Sequence, residues 1–285
     1  MTDLHDGLKI RPLDAGYGAR IFGLDHLPDD SQRAAIQAAL DEYGVVAIDG
    51  QQLDRATLVA FTRQFGESVR HQVAEYLAGD NPEVMILSNN FNADGKRLGA
   101  PNNGIFWHSD QIHQATPVTY TLLYGHEVPR DSGDTLFADM RAVHDALPNH
   151  IRERLAGRNV VHSFRASYEK NYIEAEPLTE ARRAANPDVA HPALRTHPTT
   201  GRKSVYIDPD SAIAIDGLAK DESDAILAFV FDFLERPEFV YRHRWKRGDL
   251  VVWDNRCLMH RATGYDDTVE RRIMWRTQTK GAAPF

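Results

Sequence analysis

The stretch FWHSDQIHQ, at positions 106–114, places an imidazole and a carboxylate two residues apart. Side chains at positions i and i+2 of a β-strand point to the same face, so His108 and Asp110 would converge on one point. This spacing suits a hydrogen-bonded pair on a surface strand. It also suits two ligands of a metal ion that lacks a third, and the rest of the chain must supply that ligand.

A candidate third ligand lies near the other end of the chain, where the apolar segment GDLVVWDNRCLM leads to His260. His108, Asp110 and His260 would form a triad of two histidines and one carboxylate. Such a triad leaves three coordination positions open. It therefore suits a redox-active Fe(II) that must hold a chelating cosubstrate and O2 at the same time.

The elements that must position this triad are mostly short strands. Apolar or alternating segments at 45–48, 83–87, 119–125, 134–139, 203–208, 248–255 and 271–281 predict strands. Helices are predicted at 29–44, 54–66, 140–157 and 223–236. Strands and helices do not alternate as βαβ units. We therefore predict a mainly β fold with flanking helices, a cupin-like double-stranded β-helix or jelly roll.

The length of 285 residues predicts a single domain, 1–285, that can bury a substantial core without disulfides. Residues from about 168 to 200 are rich in proline, alanine and charge, and they lack clear periodicity. We interpret them as an insertion. Long ordered insertions in compact domains are often binding loops, so this segment is expected to shape specificity.

Composition excludes several classes of partner. A net charge of -8 argues against general nucleic-acid binding, and no apolar run is long enough for a membrane span. The N-terminal residues lack the pattern of a signal peptide, and a lone cysteine, Cys257, fits a reducing cytoplasm. We expect a cytoplasmic protein that binds a small molecule, neither nucleic acid nor membrane, and forms a homo-oligomer, a dimer or tetramer.

The motifs, taken in order, resemble the taurine/2,4-dichlorophenoxyacetate dioxygenase (TauD/TfdA) family of Fe(II)- and 2-oxoglutarate-dependent oxygenases. The N-terminal part of the resemblance rests on LKIRPLDAGYGARIFGLD, EYGVVAIDGQQLD and FGE. The core rests on WHSD, SGDTLFADM, HPALRTHPTTGRKSVYID, YRHRWKRGDLVVWDNRCLMH and RRIMWR. Each motif is weak alone, but their shared order and spacing over nearly the whole chain are specific.

The resemblance implies that His108, Asp110 and His260 bind Fe(II). It also implies that Thr135, in SGDTLF, contacts the carboxylate of 2-oxoglutarate. The family usually has two glycines before this Asp-Thr pair, whereas this chain has Ser132 followed by a glycine. We expect a small change in loop shape and no loss of function.

An arginine after the distal histidine pairs with the far carboxylate of 2-oxoglutarate in this family, and two adjacent candidates exist. Strand alternation places Arg272 and Arg276 on one face and Arg271 on the other. The family's R-x-x-x-R spacing assigns the cosubstrate to Arg272, with Arg271 as the fallback. It makes Arg276 a second inward arginine.

The predicted reaction consumes 2-oxoglutarate and O2, hydroxylates a small organic anion, and forms succinate and CO2. A sulfonate, a sulfate ester or an aryloxyalkanoate would suit, with its charge on Arg276 and His71; hydroxylation beside a leaving group would also cleave the bond. Two alternatives are a zinc hydrolase built on the same three ligands and a non-catalytic jelly-roll binding protein. Neither explains Thr135 and Arg272 at their matching positions.

Overall fold

The structure is a computed structural model that describes residues 3–5, 7–13, 16–71, 76–90, 104–171 and 177–285. The strands are β1 (Asp3–His5), β2 (Leu8–Pro12), β3 (Ala19–Phe22), β4 (Val45–Ile48), β5 (Leu77–Ala78), β6 (Asn81–Ser88), β7 (Tyr120–Glu127), β8 (Thr135–Asp139), β9 (Asn159–His162), β10 (Val189–Pro192), β11 (Leu194–Thr196), β12 (Lys203–Val205), β13 (Ala212–Ile215), β14 (Val240–His243), β15 (Leu250–Asp254), β16 (Leu258–Ala262) and β17 (Ile273–Gln278). The helices are α1 (Asp30–Tyr43), α2 (Arg55–Arg63), α3 (Met140–Ala146), α4 (Asn149–Leu155), α5 (Phe164–Asn171), α6 (Glu180–Ala184) and α7 (Lys220–Leu234), with a 3-10 turn at Pro237–Phe239.

The largest sheet in the described part of the chain has nine strands, in the order β1-β2-β3-β4-β15-β7-β17-β6-β5. Its central strands are buried on both faces. On β15, Leu250 and Val252 belong to one hydrophobic cluster, while Val251 and Trp253 belong to another. This explains why the segment carries a continuous apolar run rather than an alternating one.

A second sheet, in the order β14-β8-β16, faces the first. Phe137 on β8 packs edge-on against Trp253 on β15, with the ring centroids 5.4 Å apart. Helices α1 and α2 cover the outer face of the large sheet through residues such as Ile36 and Leu58. Two facing sheets with flanking helices form the jelly roll that the sequence predicted, and this prediction is confirmed.

One helix agrees with its predicted bounds and another differs from them. Helix α1 is capped by Asp29, whose side chain accepts from the Gln32 backbone N–H while the Gln32 side chain accepts from the Asp29 backbone N–H. The predicted helix at 140–157 is two helices, α3 and α4, separated at Leu147 and Pro148. The break follows from Pro148, because a residue before proline is disfavoured in the helical region, and Leu147 has a ψ of 136°.

The region from about 168 to 200 contains regular elements on both sides of residues 172–176, which lie outside the described residues. Strand β10 pairs with β9, and β11 pairs with β12. Its later part is therefore integrated into small sheets. That this region acts as one insertion in a single domain stays a prediction. Within the described ranges, no helix is both long and apolar enough to span a membrane.

Candidate metal and cosubstrate site

The triad residues meet at the junction of a turn and a strand. His108 and His260, on β16, form a single antiparallel bridge, with N–O distances of 3.0 Å and 2.9 Å in the two directions. Asp110 follows in a turn, and the next residue, Gln111, has a φ of 56°. The expectation that His108 and Asp110 share a strand face is therefore wrong. A turn, rather than strand alternation, brings the carboxylate back towards the imidazoles.

The candidate ligand atoms of the triad all lie within 4.8 Å of one another. The Nε2 of His108 is 4.0 Å from Asp110 Oδ1, and the Nε2 of His260 is 3.7 Å from Asp110 Oδ2. The two imidazole centroids are 4.2 Å apart. Three donors that surround a common point at this separation can bind one metal ion.

The protonation states of the triad suit a divalent cation. The Nδ1 of His108 is 2.8 Å from the Phe106 carbonyl oxygen, which can only accept, so in the neutral ring Nδ1 carries the proton and Nε2 offers a lone pair to a metal. Burial and the neighbouring His108 lower the pKa of His260 to about 3, which keeps it neutral. Burial alone would raise the pKa of Asp110, but Arg276 and the two histidines outweigh it and hold that pKa well below its usual range. Two neutral imidazoles and one carboxylate are the forms that bind metal.

A second buried group of potential metal ligands in the described ranges consists of His197, Asp254 and Cys257. The Nδ1 of His197 accepts from two backbone N–H groups, so its Nε2 carries the proton and donates to Asp254 at 3.0 Å. Asp254 is also paired with Arg256 at 2.5 Å. Neither nitrogen of this histidine has a free lone pair, and the group is a structural network.

A pocket opens beside the triad, with a volume of about 420 Å³ when the space open to solvent is included. Apolar walls with a few polar groups are typical of small-molecule sites. The described residues that line it, besides His108 and His260, are Leu87, Gly104, Leu123, Thr135, Trp253, Ala262, Arg272 and Arg276.

Arg272 brings a buried positive charge to this pocket. It is 6% exposed, and no acidic side chain among the described residues lies within ion-pair distance of its guanidinium. Burial lowers its pKa to about 10, which leaves it cationic at neutral pH. Arg271, in contrast, is 64% exposed and contacts Asn90 and Glu127. A buried guanidinium without an acidic partner is a site for an anionic ligand.

Thr135 supplies a hydrogen-bond donor on the same pocket wall. Its Oγ1 accepts a hydrogen bond of 3.0 Å from the Trp245 indole, which can only donate. The Thr135 hydroxyl proton is therefore free to be donated to a ligand. Gly133, two residues earlier, has a φ of 69°, and a Cβ there would lie 3.4 Å from Arg272 Cδ and Nε. The loop before Thr135 thus packs closely against Arg272.

Ser132, which stands where the family usually has a glycine, ties this loop to the Arg272 segment. Its Oγ donates to Glu270 Oε2 at 2.5 Å, and the Arg130 backbone N–H donates to Glu270 Oε1 at 3.1 Å. Asn89 donates to the Glu270 carbonyl at 2.7 Å and accepts from the Arg272 backbone N–H at 2.9 Å. We call this group of hydrogen bonds the Ser132–Glu270–Asn89 clasp. It links the loop before Thr135 to the backbone of Arg272.

Arg276, which the sequence assigned to the charge of the substrate, has an acidic partner inside the protein. Its Nη1 donates to Asp110 Oδ1 at 3.2 Å, and its Nη2 donates to Met85 Sδ at 2.9 Å. The turn after His108 carries Asp110 to within reach of β17, and a substrate contact of Arg276 stays a prediction.

His71 is partly buried and is not among the described residues that line the pocket. It lies two residues after Val69. The backbone N–H of Val69 donates to the carbonyl of Gln278, which is two residues beyond Arg276 on β17. The four residues after His71 lie outside the described part of the chain.

The sequence reasoning missed the buried polar residues behind Asp110, which are Thr121, Asn255 and Gln278. All three are at most 3% exposed. A signal was available for Thr121, which lies between the buried residues Tyr120 and Leu122. Asn255 and Gln278 have polar neighbours in the sequence and gave no such signal. Buried polar residues need hydrogen-bond partners, and here the network they form includes Asp110.

A family model of the taurine catabolism dioxygenase TauD, TfdA family matches residues 9–278. The chain is 34% identical to an (S)-phenoxypropionate/alpha-ketoglutarate-dioxygenase of Sphingobium herbicidovorans, over 95% of this chain and 94% of that protein. It is also 34% identical to an alpha-ketoglutarate-dependent 2,4-dichlorophenoxyacetate dioxygenase of Cupriavidus pinatubonensis, over 93% and 94%.

Solved structures agree with these relatives. A taurine dioxygenase from Burkholderia xenovorans superposes with a TM-score of 0.80 at 29% identity, over 98% of this chain and 91% of that one. AAD-2 in complex with Mn(II) and N-oxalylglycine gives a TM-score of 0.81 at 29% identity, over 97% and 98%. The resemblance drawn from the motifs is confirmed: this chain is an oxidoreductase of the dioxygenase class and belongs to the taurine catabolism dioxygenase TauD, TfdA family.

Proposed function

We propose that this protein is an Fe(II)- and 2-oxoglutarate-dependent dioxygenase that hydroxylates a small organic anion, with an aryloxyalkanoate as the favoured substrate. The reaction converts 2-oxoglutarate and O2 to succinate and CO2 and inserts one oxygen atom into a C–H bond. The observation that carries this proposal is the buried Arg272, which has no acidic partner in the described ranges and shares a pocket with the triad. Hydrolysis at a metal would not require such a cation.

The metal is assigned to His108, Asp110 and His260, whose Nε2 and carboxylate oxygens face one another. Fe(II) bound there supplies the activation of O2, which protein side chains cannot provide. Asp110 supplies the negative charge of this ligand set, and Arg276, which donates to Asp110, places a positive charge beside it. The pocket walls, including Leu87 and Leu123, exclude water from the reacting centre.

The cosubstrate is assigned to Arg272 and Thr135. A dicarboxylate can place one end at the Arg272 guanidinium and the other near the triad, because Arg272, Thr135 and the two histidines of the triad line one pocket. Arg272 offers a planar pair of donors that matches a carboxylate. Thr135 adds a proton that Trp245 leaves free.

The substrate class rests on the relatives and on Arg276. The two relatives at 34% identity are named for phenoxypropionate and 2,4-dichlorophenoxyacetate, while the taurine dioxygenase is 29% identical. Arg276 uses one donor on Asp110 and another on the Met85 sulfur, which is a weak acceptor. An anionic group can replace the sulfur contact at low cost. We keep His71 as a second candidate contact to the substrate.

Hydroxylation of an aryloxyalkanoate at the carbon next to the ether oxygen gives a hemiacetal. The hemiacetal breaks its C–O bond, and the proton of the new hydroxyl group passes to the departing phenol oxygen. A phenol and an oxo acid are released, so bond cleavage needs no further oxidant.

The test is a substrate panel with Fe(II), 2-oxoglutarate and O2, read as succinate and phenol. The panel contains phenoxyacetate, both enantiomers of 2-phenoxypropionate, taurine and an alkyl sulfate, with 2-phenoxyethanol as the matched neutral control. We expect a phenoxyalkanoate to release succinate and phenol in equal amounts, and 2-phenoxyethanol to release neither. Equal turnover of 2-phenoxyethanol would contradict the anionic substrate. Neither a zinc hydrolase nor a binding protein would form succinate.

The role of Arg276 has its own test. Arg276→Leu should raise the KM for the phenoxyalkanoate by a larger factor than the KM for 2-oxoglutarate, because the second charge of the cosubstrate is held by Arg272. The opposite ratio would assign Arg276 to the cosubstrate. A cytoplasmic location and a homo-oligomeric state also stay proposals, and light scattering of the purified protein tests the second.

A further inference from the structure

Behind the triad, one hydroxyl group contacts the carboxylate of Asp110. Thr121 lies on β7 and is 0% exposed, and its Oγ1 donates to Asp110 Oδ2 at 2.7 Å. A threonine hydroxyl can donate or accept, so its direction must be derived from its other partners. The side chains of Asn255 and Gln278 are those partners, and they determine the direction of the hydrogen bond.

Two donors fix the orientation of the Asn255 side chain. Its Oδ1 is 3.2 Å from the Asp110 backbone N and 3.1 Å from the Trp253 indole Nε1, and both of these groups can only donate. The side-chain oxygen of Asn255 must therefore face them. Its NH2 group then faces Thr121, with Nδ2 2.9 Å from Oγ1.

Thr121 accepts a second hydrogen bond from an amide, because Gln278 Nε2 donates to its Oγ1 at 3.2 Å. A hydroxyl oxygen accepts two hydrogen bonds and donates one. Asn255 and Gln278 occupy both acceptor positions, so the only proton of Thr121 must point at Asp110. The direction of this hydrogen bond is fixed by the fold and does not depend on a ligand.

The other oxygen of Asp110 contacts Arg276 through one nitrogen only, Nη1 at 3.2 Å. Arginine and carboxylate groups favour a bidentate arrangement, in which both oxygens bond to two nitrogens. Thr121 holds Oδ2 away from Arg276 and prevents that arrangement. The carboxylate is thus kept turned towards the two histidines.

We propose that Thr121 is a positioning residue for the metal: its hydroxyl, oriented by Asn255 and Gln278, keeps Asp110 from closing onto Arg276. This inference rests on the proposed function, because it concerns the same metal. Without the hydroxyl, Asp110 rotates into a bidentate pair with Arg276, and that pair competes with the metal for the carboxylate. Groups that orient ligands in this way typically change metal affinity by about 10–100-fold.

The experiment measures Mn(II) binding by calorimetry to the full chain without 2-oxoglutarate. Thr121→Val, which keeps the shape and removes the hydroxyl, should weaken Mn(II) binding by about 10–100-fold. Thr121→Ser, which keeps the hydroxyl, should bind Mn(II) within about threefold of the wild type. Unchanged Mn(II) affinity in Thr121→Val would overturn the proposal. A loss of about 10-fold or more in Thr121→Ser would also overturn it, because that variant keeps the hydroxyl. The serine variant therefore tests the proposal even if the valine variant does not fold.

A double variant separates positioning from general damage. If Thr121 acts by opposing Arg276, Thr121→Val should weaken Mn(II) binding much less in an Arg276→Leu background than in the wild type. An equal loss in both backgrounds would overturn the proposed competition. Failure of the wild type to bind Mn(II) would instead refute the proposed function, so the two failures are distinguishable.

Discussion

Asp110 and Arg272 are both buried and charged and lie around one pocket, yet they are supported in opposite ways. Asp110 receives hydrogen bonds from Thr121 and Arg276 and lies beside two histidines. Arg272 has no acidic partner among the described residues, and only the ring of Tyr265, at 6.0 Å, contributes an aromatic contact. The first charge is held in place before any ligand arrives, whereas the second charge requires a ligand.

The pKa shifts express the same difference. Burial opposes the charged form of both groups. For Asp110, burial is outweighed by Arg276 and the histidines, and the pKa falls below its usual range. For Arg272, burial dominates and lowers the pKa to about 10. A preorganised anion suits a metal cation, and a buried cation without a partner suits an exchangeable anion.

Removal of the preorganised charge should have the largest effect. Asp110→Ala should abolish turnover, because one ligand of the metal is lost. It should also destabilise the fold by about 3 kcal/mol, because Arg276 is left buried without its acid. Succinate formation and the Tm measure the two effects. Retained turnover would contradict the triad. His150→Ala, at an exposed histidine, is the control and should keep its turnover.

Loss of the Thr135 hydroxyl should have the next largest effect. Thr135→Val removes a donor to the cosubstrate carboxylate, and a hydrogen bond to a charged group contributes roughly 1.5–3 kcal/mol. We expect the KM for 2-oxoglutarate to rise about 10–100-fold, with Mn(II) affinity unchanged. Thr135→Ser is the matched control. A KM that stays at the wild-type value in Thr135→Val would remove this residue from the site.

The Ser132–Glu270–Asn89 clasp should have a smaller effect. Ser132→Gly restores the residue usual in the family and breaks the bond to Glu270. The clasp is partly exposed, so we expect a rise of about two- to tenfold in the KM for 2-oxoglutarate, corresponding to roughly 0.5–1.5 kcal/mol. An unchanged KM would show that the loop before Thr135 is held by other contacts.

Arg271→Ala should have the smallest effect. Its side chain is 64% exposed and pairs with Glu127 at 3.7 Å on the surface, where ion pairs contribute about 0–1 kcal/mol. The affinity for 2-oxoglutarate should stay within about twofold of the wild type. A large loss here would mean that the assignment of the two adjacent arginines is reversed.

The sequence predicted the jelly roll because its apolar strand segments and the absence of βαβ alternation are local features. It named the triad because His108, Asp110 and His260 lie in motifs that follow the order of the family. The geometry that unites His108 and Asp110 was not predicted, since it depends on the turn with a positive φ at Gln111. The break between α3 and α4 was predictable from Pro148.

The pairing of Arg276 with Asp110 joins residues 166 positions apart, and the bond from Asn255 to Thr121 joins residues 134 apart. No local pattern indicates which buried polar groups meet over such distances. Composition identifies the groups that need partners, and only the packed fold shows which partners they have. The pairing of Arg276 with Asp110 was not predicted for this reason, and a substrate anion at Arg276 stays a prediction.

The most direct test of this account is the affinity for 2-oxoglutarate of the Mn(II)-loaded wild type and of Arg272→Met, measured by anaerobic calorimetry, together with the Tm of each protein without 2-oxoglutarate. We predict that Arg272→Met weakens 2-oxoglutarate binding by at least about 100-fold, since a buried charge pair contributes roughly 3 kcal/mol or more. We also predict that it does not lower the Tm, because it removes a buried charge that has no partner. Unchanged affinity for 2-oxoglutarate, or a clear fall in Tm, would contradict the account.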